Sequence, residues 1–330
     1  VRRILLSTKR QIFVPQEGYV LHTYGEETYL RHAVAAVVTL RRYDKVRPVA
    51  LYCPASHAEV CRRNGLTDLF TIIEPLPDEN CSINGFKHHL HKFKPWERSL
   101  YIDCDMVWCR NPDSLWTQLS VYPFTTTGLE RADFYFGGPK NAVVILEFLR
   151  DRRRRTLKRF GLTHLPRVQA GMIYAADPEV TKSVCDTAGH FRARVSETHF
   201  RTRLLEGRSE ESCEWSLAMA MSHLGLPVYH WYQGTNSPQL DYIPGMTEHT
   251  PDFENVVCDY YTGRFVYEIR GLKNAKVRQF CFWLAGALLR RRDYLKVTPF
   301  ALHFSWLHAK QPFRDFADRI WAQVTDSSTL

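Results

Sequence analysis

The sequence predicts an α/β fold with a mostly parallel central sheet flanked by helices. Two observations carry the prediction. Between residues 19 and 73 short apolar runs alternate with amphipathic stretches, as strand, helix, strand, helix, strand at short spacing. Strands joined through helices in this way run parallel and are covered on both faces. Neither a fixed-period repeat nor a low-complexity segment interrupts the 330 residues, 45% of them hydrophobic, so the chain can bury one large core or two small ones.

Taken in order, Arg2 to Leu6 suits an edge strand, and Pro15 with Gly18 marks a break. Tyr19 to Thr23 reads as the first central strand, with a turn at Tyr24-Gly25-Glu26. Residues 28–43 form a helix because Tyr29, Ala33, Ala36, Val37 and Leu40 fall near one face. Val49 to Tyr52 is the second strand; Ser56 caps a helix that runs to Asn64 and ends at Gly65. Leu69 to Ile73 is the third strand, closed by Pro75 and Pro77. Asn84 to Lys94 reads as a short helix with Lys87, His91 and Lys94 on one face, either a basic solvent-facing surface or a source of a partner for Asp103. Residues 121–138 give a strand and a glycine-rich loop at Gly137-Gly138, and Asn141 to Arg150 a helix. Gln169 to Tyr174 combines a small-residue turn with a short strand, and Gly171 there permits close approach of a ligand. Asp177-Pro178-Glu179 starts a helix, and Ser209 or Ser212 caps another that ends at Gly225. Residues 231–264 read as loop with a short strand near Asn255–Cys258. Phe280 to Leu289 is an apolar run between basic flanks over 273–292. Ten residues are too few to cross a bilayer as a helix, so the run suits a core, a homodimer interface or a peripheral membrane contact.

The formal net charge of +9 is compatible with nucleic acid, an anionic membrane or a phosphorylated small substrate. No helix-turn-helix, finger spacing or stacking-module motif accompanies it, which makes nucleic acid the weaker partner. The densest cluster, Arg150-Asp151-Arg152-Arg153-Arg154-Arg155, reads most simply as a solvated helix end. Nine cysteines without a tight framework or any C-x-x-C pair favour a reducing compartment and no structural zinc. The expectation is a cytoplasmic protein, at most at the inner face of a membrane. Val1 is not an untreated translation start, so an upstream signal or anchor, since removed, is part of that expectation.

The chemistry centres on Asp103-Cys104-Asp105, which follows the apolar Leu100-Tyr101-Ile102. Burying a carboxylate costs several kcal/mol unless it is paired or bound to metal. Two carboxylates two residues apart at a strand end can share a hard divalent cation and the phosphates it carries. Ligands of parallel sheets sit beyond the carboxyl ends of strands, where Thr23, Tyr24 and Gly25 also lie. No G-x-G-x-x-G or Walker loop follows the first strand, which disfavours a dinucleotide dehydrogenase or a P-loop kinase. Far downstream, His303 and Lys310 offer an imidazole for a carboxylate metal site and a cation for a diphosphate.

These segments together resemble glycosyltransferase family 8, of the GT-A fold, from about Val20 to Phe313. Leu100-Tyr101-Ile102-Asp103-Cys104-Asp105 is similar to the family's L-Y-x-D-x-D strand, Gln169-Ala170-Gly171-Met172 to its N-A-G-V segment, and His303-Phe304 through Lys310-Gln311-Pro312-Phe313 to its terminal H-F-x-G-x-x-K-P-W signature. Gln169, Trp306, Gln311 and Phe313 depart from that pattern, and the His–Lys interval is one residue longer, as in a divergent member rather than a glycogenin-like one. The resemblance implies one GT-A catalytic domain over residues 1–330. Its nucleotide-binding half, 19–120, ends in the D-x-D motif, and its acceptor half, 121–330, holds the C-terminal metal and phosphate segment. It implies a retaining hexosyltransferase that takes a UDP-sugar as donor and a glycan, lipid-linked saccharide or small molecule as acceptor. Asp103, Asp105 and His303 would hold Mn²⁺ or Mg²⁺, and Lys310 would stabilise the β-phosphate. Thr23 and Tyr24 would touch the base or ribose, and Lys87, Gly171 and Glu214 the donor sugar or its surroundings. Asp105, Gln169 and Lys310 would carry the catalytic roles, with no covalent nucleophile named. The alternatives are a sugar-phosphate nucleotidyltransferase, which would want a glycine-rich phosphate loop after the first strand, and a non-catalytic GT-A-like domain in a membrane-associated assembly.

Overall fold

Strand β1 (Glu17–His22) is the middle of the molecule, and its side chains are divided between two cores. Tyr19 and Leu21 pack to one side with Leu100 and Ile102, while Val20 packs to the other with Tyr101. Alternation with both faces apolar is what a strand covered by helices on each side requires. Each buried aliphatic chain contributes about 1.5–3 kcal/mol. The computed structural model describes residues 16–132, 150–200, 202–205, 207–261, 276–277, 280–281, 294–305 and 307–326. The edge strand expected at Arg2–Leu6, the Gly137-Gly138 loop, most of the Asn141–Arg150 helix and nearly all of the 273–292 segment lie outside the described residues.

The other strands are β2 (Val49–Cys53), β3 (Ile72–Pro75), β4 (Arg98–Ile102), β5 (Met106–Trp108), β6 (Phe124–Leu129), β7 (Arg167–Ala175), β8 (Tyr229–His230), β9 (Gln239–Asp241), β10 (Thr247–His249), β11 (Val256–Tyr261), β12 (Tyr294–Val297) and β13 (Ala301–His303). A seven-stranded sheet runs in the order β3-β2-β1-β4-β7-β6-β8. Its strands are parallel except β7, which is antiparallel to both neighbours. The α/β prediction therefore holds, as a mixed, mostly parallel sheet. Helices Glu27–Arg41 and Gln311–Asp326 pack together on the Leu21 side, and Pro178–Ala193 and Cys213–Leu224 on the Val20 side. Two smaller sheets, β5-β13-β9 and β10-β11-β12, complete the described strands. No helix among the described residues is long and apolar enough to cross a membrane.

Several expected elements take a different form. The turn at Gln169–Gly171 is instead the interior of β7, which pairs Met172 with Ile102 and Ile173 with Tyr101. The Asn84–Lys94 helix stops at Lys87 and resumes as a 3₁₀ turn at Leu90–Lys92. The His88 N–H still bonds the Asn84 carbonyl at 3.1 Å, but the next acceptor, the Gly85 carbonyl, is taken by the side chains of Asn80 and His89 at 2.8 and 2.7 Å, and the His89 N–H turns to the Phe86 carbonyl instead. The third strand starts at Ile72, because Leu66–Leu69 forms a 3₁₀ turn. Ser56 makes no cap; that helix begins at Ala55 behind Pro54.

The start of the sheet is fastened by one buried carboxylate. Asp44 accepts from the Val46 and Arg47 backbone N–H groups at 3.1 and 3.0 Å, from the Tyr19 hydroxyl at 2.8 Å and from Arg47 Nη1 at 2.9 Å. Tyr19 in turn accepts from Trp116 Nε1 at 2.8 Å. Burial works against the Asp44 charge, but the Arg47 and Tyr19 donors outweigh it and hold the carboxyl below its usual range. A depressed carboxylate adds stability above its unfolded pKa and loses it as pH falls. Asp44→Asn is thus expected to cost about 2 kcal/mol at pH 7. In urea denaturation the gap to the wild type should narrow as pH falls below about 4, where the unfolded carboxyl protonates; a gap that is constant with pH would show that the charge contributes nothing.

Candidate metal centre at the switch point of the sheet

β1 is flanked by β2 on one side and β4 on the other, so the strand order reverses between β1 and β4. Crevices beyond the carboxyl ends of strands at such a point are where open α/β sheets bind ligands. The segment that leaves β4 there is Asp103-Cys104-Asp105. The Asp103 N–H donates to the Gly171 carbonyl at 2.9 Å, the last link to β7. The chain then turns and enters β5, which belongs to a different sheet. The two aspartates are thus the hinge between sheets.

β5 brings the distant histidine with it. β13 pairs antiparallel with β5, placing His303 opposite Met106, and parallel with β9, placing His303 opposite Asp241. The Phe304 N–H donates to the Asp105 carbonyl at 3.0 Å. As a result His303 Nε2 lies 3.3 Å from Asp105 Oδ1 and 3.8 Å from Asp103 Oδ2. One ligand atom from each of Asp103, Asp105 and His303 falls within 4.8 Å of the others. Two carboxylates and an imidazole form a donor set for Mn²⁺ or Mg²⁺ with positions left over for phosphate or water.

The surrounding groups divide the oxygen atoms. Lys87 Nζ binds Asp103 Oδ1 at 2.7 Å, and Lys310 Nζ binds Asp105 Oδ2 at 2.5 Å. Each lysine takes one oxygen of its carboxylate, while the other faces His303. Lys87 also donates to the Ala170 carbonyl at 2.7 Å. Burial lowers the lysine pKa values, but Asp103 for Lys87 and Asp105 for Lys310 outweigh it and leave both raised. For Asp105, burial is likewise outweighed by Lys310 and His303, and its carboxyl is held well below the usual range. Burial would lower His303 too; Asp105 and Asp241 instead push it up to about 10. The neighbouring carboxylates thus favour a proton on the ring when no ion is bound.

The back of His303 is equally specified. Its Nδ1 lies 3.2 Å from Asp241 Oδ1 and 2.7 Å from Gln169 Nε2. Asp241 can only accept and so asks for Nδ1–H with a bare Nε2, the tautomer that ligates a metal, whereas the nearer Gln169 amide nitrogen can only donate and so asks for a bare Nδ1; the two partners favour opposite tautomers. Gln169 Oε1 takes the Gly171 N–H at 2.7 Å and also bonds Gln239 Nε2. A bulge in β6 between Thr126 and Gly128 lets the Thr126 and Thr127 hydroxyls cap the Gln169 carbonyl at 3.3 and 2.7 Å.

The expected residues therefore fall into three groups. Asp103, Asp105, His303, Lys87 and Lys310 converge. Gln169 and Gly171 lie just beneath them. The Gln169 amide is engaged with protein groups under His303, and the space a Cβ on Gly171 would need is filled by Met106 Cε at 2.7 Å and Gln169 Oε1 at 2.8 Å. Gly171 thus makes room for the glutamine that supports His303. At the rim, Glu214 is half-buried, its charge felt by Lys87. Tyr24 stacks between His22 and Tyr29 at 5.6 and 5.1 Å. Thr23 is fully buried with its hydroxyl 2.9 Å from His57 Nδ1, so it fixes the loop that presents Tyr24.

Asp241, Gln239 and His22 are site residues the sequence did not reveal. Asp241 and Gln239 sit in a Gly- and Pro-rich stretch with no periodicity, and only the β9–β13 pairing brings them in. His22 stacks on Phe86 at 4.2 Å, and burial followed by Lys87 lowers it to about 3, so it stays neutral.

No family model and no curated protein sequence matches the chain. Solved structures resemble it at low identity. Mouse xyloside xylosyltransferase 1, in its apo form, is 12% identical with a TM-score of 0.45 over 68% of this chain and 88% of its own. The galactosyltransferase LgtC, with donor and acceptor sugar analogues, is 10% identical with a TM-score of 0.48 over 94% of this chain and 95% of its own. The glycosyltransferase GlyE of Streptococcus pneumoniae TIGR4 is 10% identical with a TM-score of 0.49 over 94% of this chain, which spans 63% of GlyE's length.

An ion that takes the His303 Nε2 lone pair competes with a proton there, which the neighbouring carboxylates favour. Calorimetric titration with Mn²⁺ at pH 7.5, in two buffers of different ionisation enthalpy, should show close to one proton released per ion. Affinity should rise about tenfold per pH unit across pH 6–8. Binding without proton release would remove His303 from the ligand set.

Proposed function

We propose that the protein is a metal-dependent glycosyltransferase that moves a sugar from a nucleotide sugar to an acceptor hydroxyl. The meeting of Asp103, Asp105 and His303 between Lys87 and Lys310, at the switch point of the sheet, carries this reading. UDP as the carrier, retention of configuration, and a glycan, lipid-linked or small-molecule acceptor are parts of the proposal supported by the sequence resemblance. So are the division into a nucleotide half at 19–120 and an acceptor half at 121–330.

Mn²⁺ or Mg²⁺ held by Asp103, Asp105 and His303 would supply Lewis-acid stabilisation of the leaving diphosphate. The protein's own groups do the rest. Lys87, enclosed between Asp103 and the Ala170 carbonyl, orients the Asp103 carboxylate. Lys310 stands beside the same carboxylates on the loop before helix Gln311–Asp326, where its ammonium can turn to a phosphate oxygen. Asp241 and Gln169 hold the His303 ring. Tyr24, stacked between His22 and Tyr29, would meet a base or ribose at the rim with its ring edge or hydroxyl, and Glu214 would offer a carboxylate to sugar hydroxyls.

A panel of nucleotide sugars incubated with and without Mn²⁺, reading released nucleoside diphosphate, tests the proposal. Metal-dependent release from one donor is expected, and Asp105→Asn should abolish it while leaving the fold intact. Near-wild-type release by that variant at saturating Mn²⁺ would sink the metal assignment. Formation of sugar nucleotide and pyrophosphate from a sugar phosphate would reassign the chemistry to nucleotidyl transfer. Lys310→Ala should lower turnover roughly 100-fold while changing Mn²⁺ affinity far less. An unchanged rate would move the phosphate contact to another basic residue.

A further inference from the structure

The basic cluster that the transferase reading does not use forms a helix whose charges are placed against its own electrostatics. Between residues 150 and 159 there are seven basic residues and one carboxylate. Helix Arg152–Arg159 carries arginine at each of its first four positions and no acid in its first turn. The helix N-terminus is the positive end of the macrodipole, so cations there are unfavourable. Asp151, the residue at the cap, has φ +44° and donates no cap to the helix; it reaches only Arg154, at 3.9 Å, and both side chains are more than half exposed. Arg154 and Lys158, and Arg155 and Arg159, are like-charge pairs four residues apart, which destabilise a helix further. Thr156 alone turns fully inward, its hydroxyl accepting from the His199 N–H at 3.0 Å. That orientation leaves Arg154, Arg155 and Lys158 exposed on the opposite face. Arg194, nearby, is already matched by both oxygens of Glu197. Among the described residues the exposed Arg154, Arg155 and Lys158 are answered by a single carboxylate, Asp151 at 3.9 Å from Arg154, a local conflict of the kind that function, rather than folding, maintains.

Its place in the fold is specific. The helix leads into β7, and β7 runs opposite to β4, so the start of β7 lies at the same sheet edge as Asp103. Arg153 ties the helix to that edge through the Ala132 carbonyl at 2.9 Å. Through His199 the neighbouring chain leads to Thr202–Leu205, where Arg203 and the exposed Leu204 stand beside each other. Cations in a row next to an exposed leucine suit a lipid surface, where charge is spread over the plane and a side chain can enter the interface.

We propose that helix Arg152–Arg159, with Arg203 and Leu204, is a docking surface for an anionic lipid bilayer. It would hold the edge that carries the metal centre toward the headgroups. The test uses the whole chain and co-sedimentation with phosphatidylcholine vesicles containing 30% phosphatidylserine. Binding is expected to these vesicles and not to pure phosphatidylcholine, and to weaken as salt rises from 50 to 500 mM. Replacing Arg154, Arg155 and Lys158 together with glutamine should weaken it about a hundredfold, since each basic residue contributes roughly fivefold. An unchanged melting temperature of that variant ties the loss to charge, and Leu204→Ser should weaken binding without altering its salt dependence. Equal binding to neutral vesicles, an unchanged affinity of the triple variant, or tighter binding to single-stranded RNA than to the anionic vesicles would each overturn the proposal.

Discussion

The site depends on one constraint: β13 is held between β5 and β9, so that His303 stands in register with Met106 on one side and Asp241 on the other. Backbone ladders are rigid at the scale that matters for metal ligation, because slipping by one residue would turn every side chain to the opposite face. A one-residue slip of β13 would aim Leu302 or Phe304 at the aspartates. The Asp105 carbonyl, taken by the Phe304 N–H, locks that register at the motif itself. The C-terminal helix, packed against helix Glu27–Arg41 through the Leu21-side core, then sets where Lys310 can stand.

Part of this was legible in the sequence, and the boundary is physical. The strand–helix alternation before residue 75 is local, because apolar periodicity reports which face of an element is buried, and those elements stand where expected to within a few residues. The D-x-D motif was legible because ionised carboxylates after an apolar strand need a partner. What was not legible is pairing between distant segments. Gln169–Gly171 looked like a turn because glycine in a strand usually weakens it, but here the missing side chain admits the Gln169 amide and Met106. For Lys87 the sequence left two readings, a cation of a solvent face or a partner for Asp103; the break in its helix and the approach of β4 and β7 decide for the second, burying it against Asp103 and Ala170. Asp241 carried no signal at all, since its role comes wholly from lying beside β13.

The charges explain why so many ionisable groups can be enclosed together. Lys87 answers Asp103, Lys310 answers Asp105, and the His303 ring answers Asp241. Among the described residues each of these three carboxylates thus has a cationic or imidazole partner, the condition under which burial is tolerable. The pairing is also directional. Each lysine takes the oxygen that faces away from His303, and the remaining two oxygens and Nε2 point at a common space.

That balance bears on the order of events. On the proposed reading, a dication held by Asp103, Asp105 and His303 would add positive charge in surroundings of low polarity, where uncompensated charge is costly. A diphosphate brings more than one negative charge to the same place and can draw Lys310 away from Asp105 as it arrives. Ion and diphosphate are therefore each bound more favourably when the other is present, and by linkage the gain is the same in both directions. On the proposed transferase reading, departure of a nucleoside diphosphate would let Lys310 return to Asp105. The buried ion pairs of the ligand-free protein thus both keep the fold intact around its charges and hold the carboxylate oxygens in place.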